Sequence, residues 1–100
     1  MSYYKKKTWI LKRVRIFKRD DYLCRECKRY GKTTAATTVH HINPLEQYPE
    51  LALVSVNLIS FCTCCHDKMH DRTSGILTAL GEQWRERMRR GELDVRARES

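Results

Sequence analysis

Two Cys-x2-Cys pairs constrain this chain more than any other feature: Cys24-Arg25-Glu26-Cys27 and Cys62-Thr63-Cys64-Cys65, with thirty-four residues between them. Each pair sets two thiols on one side of a tight turn. Two facing pairs make a tetrahedral four-sulfur cage, which suits Zn2+. One pair alone would be a weak signal; two within 100 residues are a strong one. The alternative is four buried free thiols. The gap exceeds the roughly 15–20 residues of common zinc ribbons, so a substructure must be inserted between the pairs. The cage would tie an N-terminal helix to a distant second strand, and in so short a chain it would contribute directly to folding. Cys64 is expected to be a non-ligand, because Cys62-x-Cys64 is poor knuckle spacing. Cys62-x2-Cys65-His66 also matches the c-type haem attachment pattern, with Met69 as an axial candidate. The second cysteine pair, the charge and the start of the chain argue against haem.

That start, Met1 to Lys7, is polar and basic with no apolar stretch behind it, so no signal peptide is expected. No run of about 18 apolar residues exists, so no membrane association is expected either. Cysteines of an intracellular chain stay reduced, which favours metal binding over disulfides. Twenty Lys and Arg against twelve Asp and Glu give a net charge of +8, which points to a polyanionic partner. Nearly all of the excess lies in residues 1–20, with eight basic residues and one acid. Lys5, Lys6, Lys7, Lys12, Arg13 and Arg15 are the candidate phosphate contacts. Tyr3, Tyr4 and Trp9 are interleaved with them and could stack on bases. The plainer reading of this arm is a solvated, solubilising tail.

Hydrophobic periodicity predicts an amphipathic helix over 8–20, with Ile10, Leu11, Val14 and Phe17 on its apolar face and a basic outer face. A Thr-rich strand is expected from Thr33 to Ile42, ended by Pro44. A connection over 45–55 leads to a second strand from Val56 to Phe61. A short helix carrying His66 and His70 should follow Cys65. Leu77, Leu80, Trp84 and Met88 mark a last helix, stopped by Gly91. The tail from Glu92 has no pattern. This gives an α+β fold in three parts: a basic arm and helix (1–20), a zinc-stapled core (21–73), and a C-terminal helix and tail (74–100).

All four histidines fall between the first cysteine pair and residue 70: His40, His41, His66 and His70. Adjacent residues on a strand point to opposite faces, so His40 and His41 should not share a role. His66 and His70 are four apart and would share a helix face, a platform for a metal or a phosphate. Scattered surface histidines are the bland alternative.

With Val39-His40-His41-Ile42-x-Pro44-Leu45, Asn57-Leu58 and Cys62-x2-Cys65-His66 set beside Cys24-x2-Cys27, the chain resembles the His-Asn-His (HNH) endonuclease family over roughly residues 9–70. The resemblance implies a small zinc-stabilised ββα-metal fold with flanking helices. It implies metal-dependent nicking or cleavage of DNA by phosphodiester hydrolysis, with 5′-phosphate and 3′-hydroxyl products. It implies structural zinc on Cys24, Cys27, Cys62 and Cys65. His41 matches the general base, Asn57 the central residue that orients it, and His66 the final motif position and a ligand of the catalytic metal. His40 stands where the family places another metal ligand, often Asp, and His70 where some members carry an additional histidine. A carbonyl within the 45–57 connection is expected to fix the tautomer of His41. A nitrogen-rich set suits Mn2+, Co2+ or Ni2+ at least as well as Mg2+.

Small members of this family are phage or prophage proteins, some encoded beside terminase and portal genes. DNA processing or packaging in the cytoplasm of a bacterial host cell is the implied setting. No recognition helix is visible, so little sequence preference and a steep salt dependence are expected. A homodimer, or a terminase or portal partner, would add specificity or a double-strand break. The rival reading from another class is a non-catalytic zinc-stabilised DNA-binding module, which explains the cysteines and the arm but not the histidines.

Overall fold

A computed structural model describes residues 6–92. Lys5, Tyr3 and Tyr4 of the arm, and the tail beyond Glu92, lie outside the described residues. Four helices surround one two-stranded sheet: α1 (Lys7–Arg19), α2 (Arg25–Arg29), β1 (Thr38–His41), β2 (Leu58–Phe61), α3 (Thr63–Asp67) and α4 (Ala79–Arg89), with 3-10 turns at Pro49–Leu51 and Ser55–Asn57 between the strands. No helix among the described residues is long and apolar enough to cross a membrane.

The strands pair antiparallel, with Val39 opposite Ser60, His40 opposite Ile59 and His41 opposite Leu58. Side chains alternate across the sheet, so the two cores lie on opposite faces. Val39 and Leu58 pack with Trp9, Ile16 and Phe17 of α1. Ile59 and Phe61 pack with Cys24, Ile42, Cys65, Met69 and Trp84. Every residue of β2 is buried, as a strand covered on both faces must be.

Three expectations need correction. The helix α1 forms almost where predicted, but turned: Ile10 and Leu11 are 50% and 54% exposed, while Trp9, Ile16, Phe17 and Arg19 are buried. Trp9 and Ile16, seven apart, share the face that packs on Val39 and Leu58. The basic residues of that face also reach polar atoms below. Arg19 makes two hydrogen bonds to Asp20, at 2.8 and 2.9 Å, and donates to the carbonyls of Ser55 (2.9 Å) and Leu58 (2.7 Å). Asp20 in turn accepts from the amide of Ser60 at 3.0 Å, so a buried ion pair stitches the end of α1 to β2.

The first strand is shorter than the Thr-rich run. Ala35 makes an isolated bridge with Leu23, and the ladder begins only at Thr38. The upstream residues are spent on the first cysteine pair: Cys24 donates its amide to Thr34 at 2.7 Å. Likewise β2 begins at Leu58, because Ser55–Asn57 is a 3-10 turn.

The helix after the second cysteine pair starts at Thr63 and ends at Asp67, so His70 is not on it. The segment is turned away by Thr78, whose hydroxyl donates to the Lys68 carbonyl (2.6 Å) and whose amide donates to that of Met69 (2.9 Å). His70 then bridges Leu77. Thr78 also caps α4 by accepting from the amide of Gly81 at 3.2 Å. Gly81 admits no side chain there: a Cβ would lie 2.5 Å from the Met69 carbonyl oxygen. Trp84 anchors α4 in the core, fully buried, with its ring 5.4 Å from Phe61 and its Nε1 donating to Glu26 at 3.0 Å. Gly91, at φ 76°, follows the helix end, in the left-handed conformation that favours glycine.

Candidate functional site

The four cysteines Cys24, Cys27, Cys62 and Cys65 converge, with all sulfurs within 4.8 Å of one another. Cys24 caps α2, accepting from the amide of Cys27 at 3.4 Å. Cys62 occupies the position before α3, one turn from Cys65. The Sγ atom of Cys27 is 4.0 Å from that of Cys62 and 3.7 Å from that of Cys65. Those distances are far beyond a disulfide of about 2.05 Å. They bracket the edge of roughly 3.8 Å that follows for a tetrahedron with Zn–S of about 2.3 Å. Burial pushes the thiols of Cys24 and Cys65 up, whereas a side-chain hydrogen bond from Thr34 lowers that of Cys27. A soft cation would offset the burial penalty on the thiolates. The donor set therefore fits zinc. Cys64 is exposed and stands outside the cluster.

On the same side of the sheet, His40, His66 and His70 form a second cluster with ring nitrogens within 4.8 Å. The ring of His40 is 5.3 Å from each of the other two, and those are 6.0 Å apart. His40 is only 1% exposed, and its Nε2 has no hydrogen-bond partner among the described residues. A buried polar atom left so costs about 1–3 kcal/mol. Burial, helped by the neighbouring imidazoles, holds His40 well below the usual histidine range; burial also lowers His66. Neutral imidazoles present lone pairs. The orphaned nitrogen and its two neighbours thus fit a divalent cation with a preference for nitrogen.

His41, on the other face of β1, has different surroundings. It donates from Nε2 to the Ala52 carbonyl at 3.2 Å. A carbonyl can only accept, so the tautomer is set and Nδ1 is the basic nitrogen. The indole of Trp9 lies parallel to its ring, with centroids 5.0 Å apart and planes 21° apart. Burial lowers the His41 pKa, with the Ala52 carbonyl opposing in part.

Asn57 does not touch His41 in any hydrogen bond described. Its Oδ1 accepts from the Asn43 amide (2.8 Å) and side chain (3.0 Å), and its Nδ2 donates to the carbonyls of Asn43 (3.3 Å) and Leu51 (3.2 Å). It therefore pins both ends of the connection, and Leu51 adjoins the Ala52 that holds His41. Arg85 of α4 extends this network, donating to the Asn43 side chain at 2.9 Å and to the Tyr48 hydroxyl at 3.2 Å.

One open cleft of about 1120 Å3 is lined by Trp9, Arg13, His40, His41, His66 and His70 together. The basic residues of the arm divide in two. Lys6, Lys7 and Arg15 are exposed. Lys12 instead donates to the Ser55 hydroxyl, and Arg13 to the Thr37 carbonyl at 3.1 Å. Trp9 is 4% exposed and stacked on His41, so it is not the solvent-facing aromatic expected. Asn43, Ala52 and Arg85 were not predicted. Ala52 acts through its backbone, and Asn43 and Arg85 through tertiary contacts, so spacing carries no signal for them.

Comparison with known proteins places these features. A family model described as HNH endonuclease matches residues 24–72, the span that holds all four clustered cysteines, all four histidines and Asn57. The crystal structure of the HNH endonuclease of the deep-sea thermophilic bacteriophage GVE2, determined with a manganese ion, is similar at a TM-score of 0.63 and 35% identity, covering 65% of this chain and 71% of that one. No curated protein matches the chain.

Proposed function

Because the chain belongs to the HNH endonuclease family, we propose that it is a metal-dependent nuclease that nicks or cleaves DNA, with His41 as general base. The observation that carries this reading is the pairing, in one cleft, of a tautomer-fixed imidazole with a three-nitrogen cluster around the orphaned His40 Nε2. A divalent ion held by His40, His66 and His70 would supply Lewis-acid stabilisation of the charge that develops on the phosphate and the leaving 3′-oxygen. His41 accepts the proton of the attacking water at Nδ1, while Nε2 stays bonded to Ala52. Asn57 holds the connection that carries Ala52, and so keeps that bond aligned. Cys24, Cys27, Cys62 and Cys65 hold structural zinc.

The manganese of the bacteriophage protein and the nitrogen-rich cluster favour Mn2+, Co2+ or Ni2+ over Mg2+ as the catalytic ion. Phage DNA processing or packaging is the setting we propose, with DNA as substrate and a terminase, a portal or a second copy of the chain as partner. Lys6, Lys7 and Arg15 supply phosphate contacts along the exposed side of α1.

Plasmid relaxation tests the reading. Supercoiled DNA is incubated with the zinc-loaded chain in EDTA, Mg2+, Mn2+ or Ni2+, beside a His41→Ala variant. Metal-dependent nicking by the parent and none by the variant is expected. Intact plasmid in every metal, with both proteins retarding DNA in a gel, would establish instead a zinc-stabilised DNA-binding module.

A further inference from the structure

We propose that Trp9 of α1 is a positioning residue for the general base: its indole sets the plane of the His41 imidazole, and so the direction in which Nδ1 faces the cleft. This rests on the assignment of His41 as base. The hydrogen bond from Nε2 to Ala52, at 3.2 Å, fixes one point of the ring. Rotation about Cβ–Cγ turns the ring plane and swings Nδ1 through the cleft, and a hydrogen bond of 3.2 Å tolerates part of that rotation. A parallel indole at 5.0 Å and 21° resists that rotation directly. Stacking also covers one face of the imidazole.

The indole is itself held. Trp9 is 4% exposed and packs with Ile16, Phe17, Val39 and Leu58. One turn further along α1, Lys12 donates to the Ser55 hydroxyl and Arg13 to the Thr37 carbonyl, so the helix is tied to the chain on both sides of the site. At its far end Arg19 grips the Ser55 and Leu58 carbonyls. The helix lies wholly outside residues 24–72, the span matched by the family model. From it Trp9, Ile10, Arg13 and Val14 line the cleft, and Trp9 stacks on His41. A general base misplaced by a fraction of an ångström loses rate without losing substrate affinity.

Two variants of the zinc-loaded full chain test this: Trp9→Leu, which keeps apolar volume but has no ring, and Trp9→Phe, which restores a stacked ring. The first readout is the His41 ring-proton chemical shifts in a zinc-loaded, magnesium-containing sample. A stacked indole displaces them upfield in the parent. Trp9→Leu should lose that displacement, Trp9→Phe should keep most of it, and His40, His66 and His70 should barely move in either. The second readout is plasmid nicking. Trp9→Leu should lower kcat by about tenfold with KM within twofold, and Trp9→Phe should recover most of it. Equal losses in both variants would make Trp9 a packing residue, and a raised KM at unchanged kcat would make it a DNA contact; either overturns the proposal, as does a Trp9→Leu chain with parental kcat. A His41→Ala chain that nicks as fast as the parent would instead remove the assignment of the base, whatever the ring shifts show.

Discussion

Asn57 ties the connection between the strands together through a single side-chain amide. Both its donors and its acceptor are committed to backbone or amide groups at Asn43 and Leu51, and the residue is fully buried. Aspartate is nearly the same shape, but it would aim carboxylate oxygens at two carbonyls. We expect Asn57→Asp to lower stability by about 1–3 kcal/mol and to reduce nicking more than the stability loss explains, because Ala52 no longer meets His41 squarely. Urea denaturation and plasmid relaxation on the same zinc-loaded sample check this; parental nicking would separate Asn57 from the base. At this scale the sequence is informative where chemistry is scarce. Two Cys-x2-Cys pairs and four histidines have few other uses, and the structure gathers seven of those residues into two clusters, with His41 lining the same cleft as the other histidines. It is silent where a common residue acts through geometry: nothing in the spacing of Trp9 distinguishes a stacked ring from an exposed one.

Helices and strands were legible in kind and less so in extent and facing. The periodicity of α1 is real, yet Lys12, Arg13 and Arg19 carry it inward by bonding carbonyls and a hydroxyl, a use of basic side chains that hydrophobic patterning ignores. One consequence is measurable. Replacing both Lys7 and Arg15 by Gln should reduce the slope of log binding constant against log salt by about 2, since both are exposed. Lys12→Gln should instead loosen α1, visible as a lower melting temperature with the salt slope little changed. The start of α4 carries a second consequence. Gly81→Ala would push a methyl group into the Met69 carbonyl, 2.5 Å away, and so displace His70, the next residue. We expect Mn2+ affinity, measured calorimetrically on zinc-loaded protein, to fall about tenfold, with the zinc content unchanged. Undiminished affinity would take His70 out of the ion's ligand set.

The whole molecule is organised about a sheet of only two strands. So small a sheet leaves two modest cores to hold four helices, and a further constraint would add to their stability. Zinc held by the cysteine cluster would supply one by joining the start of α2 to the corner between β2 and α3. Stripping the chain with a strong chelator should therefore abolish cooperative thermal unfolding followed by circular dichroism, and added Zn2+ should restore it; a sharp melt persisting in the metal-free chain would mean that the two cores suffice.

Helix α3 contains Cys65 and His66 as immediate neighbours, so five residues of chain serve both clusters. With an ion on each cluster, such sharing would link the two affinities thermodynamically. Whatever factor the sulfur-bound ion adds to affinity at the histidines, the histidine-bound ion must return to the sulfurs, because the free-energy cycle closes. The protein would then gain its competence to bind the second ion at the same moment as its fold, and scarcity of zinc would silence the cleft without any change in the supply of the other metal.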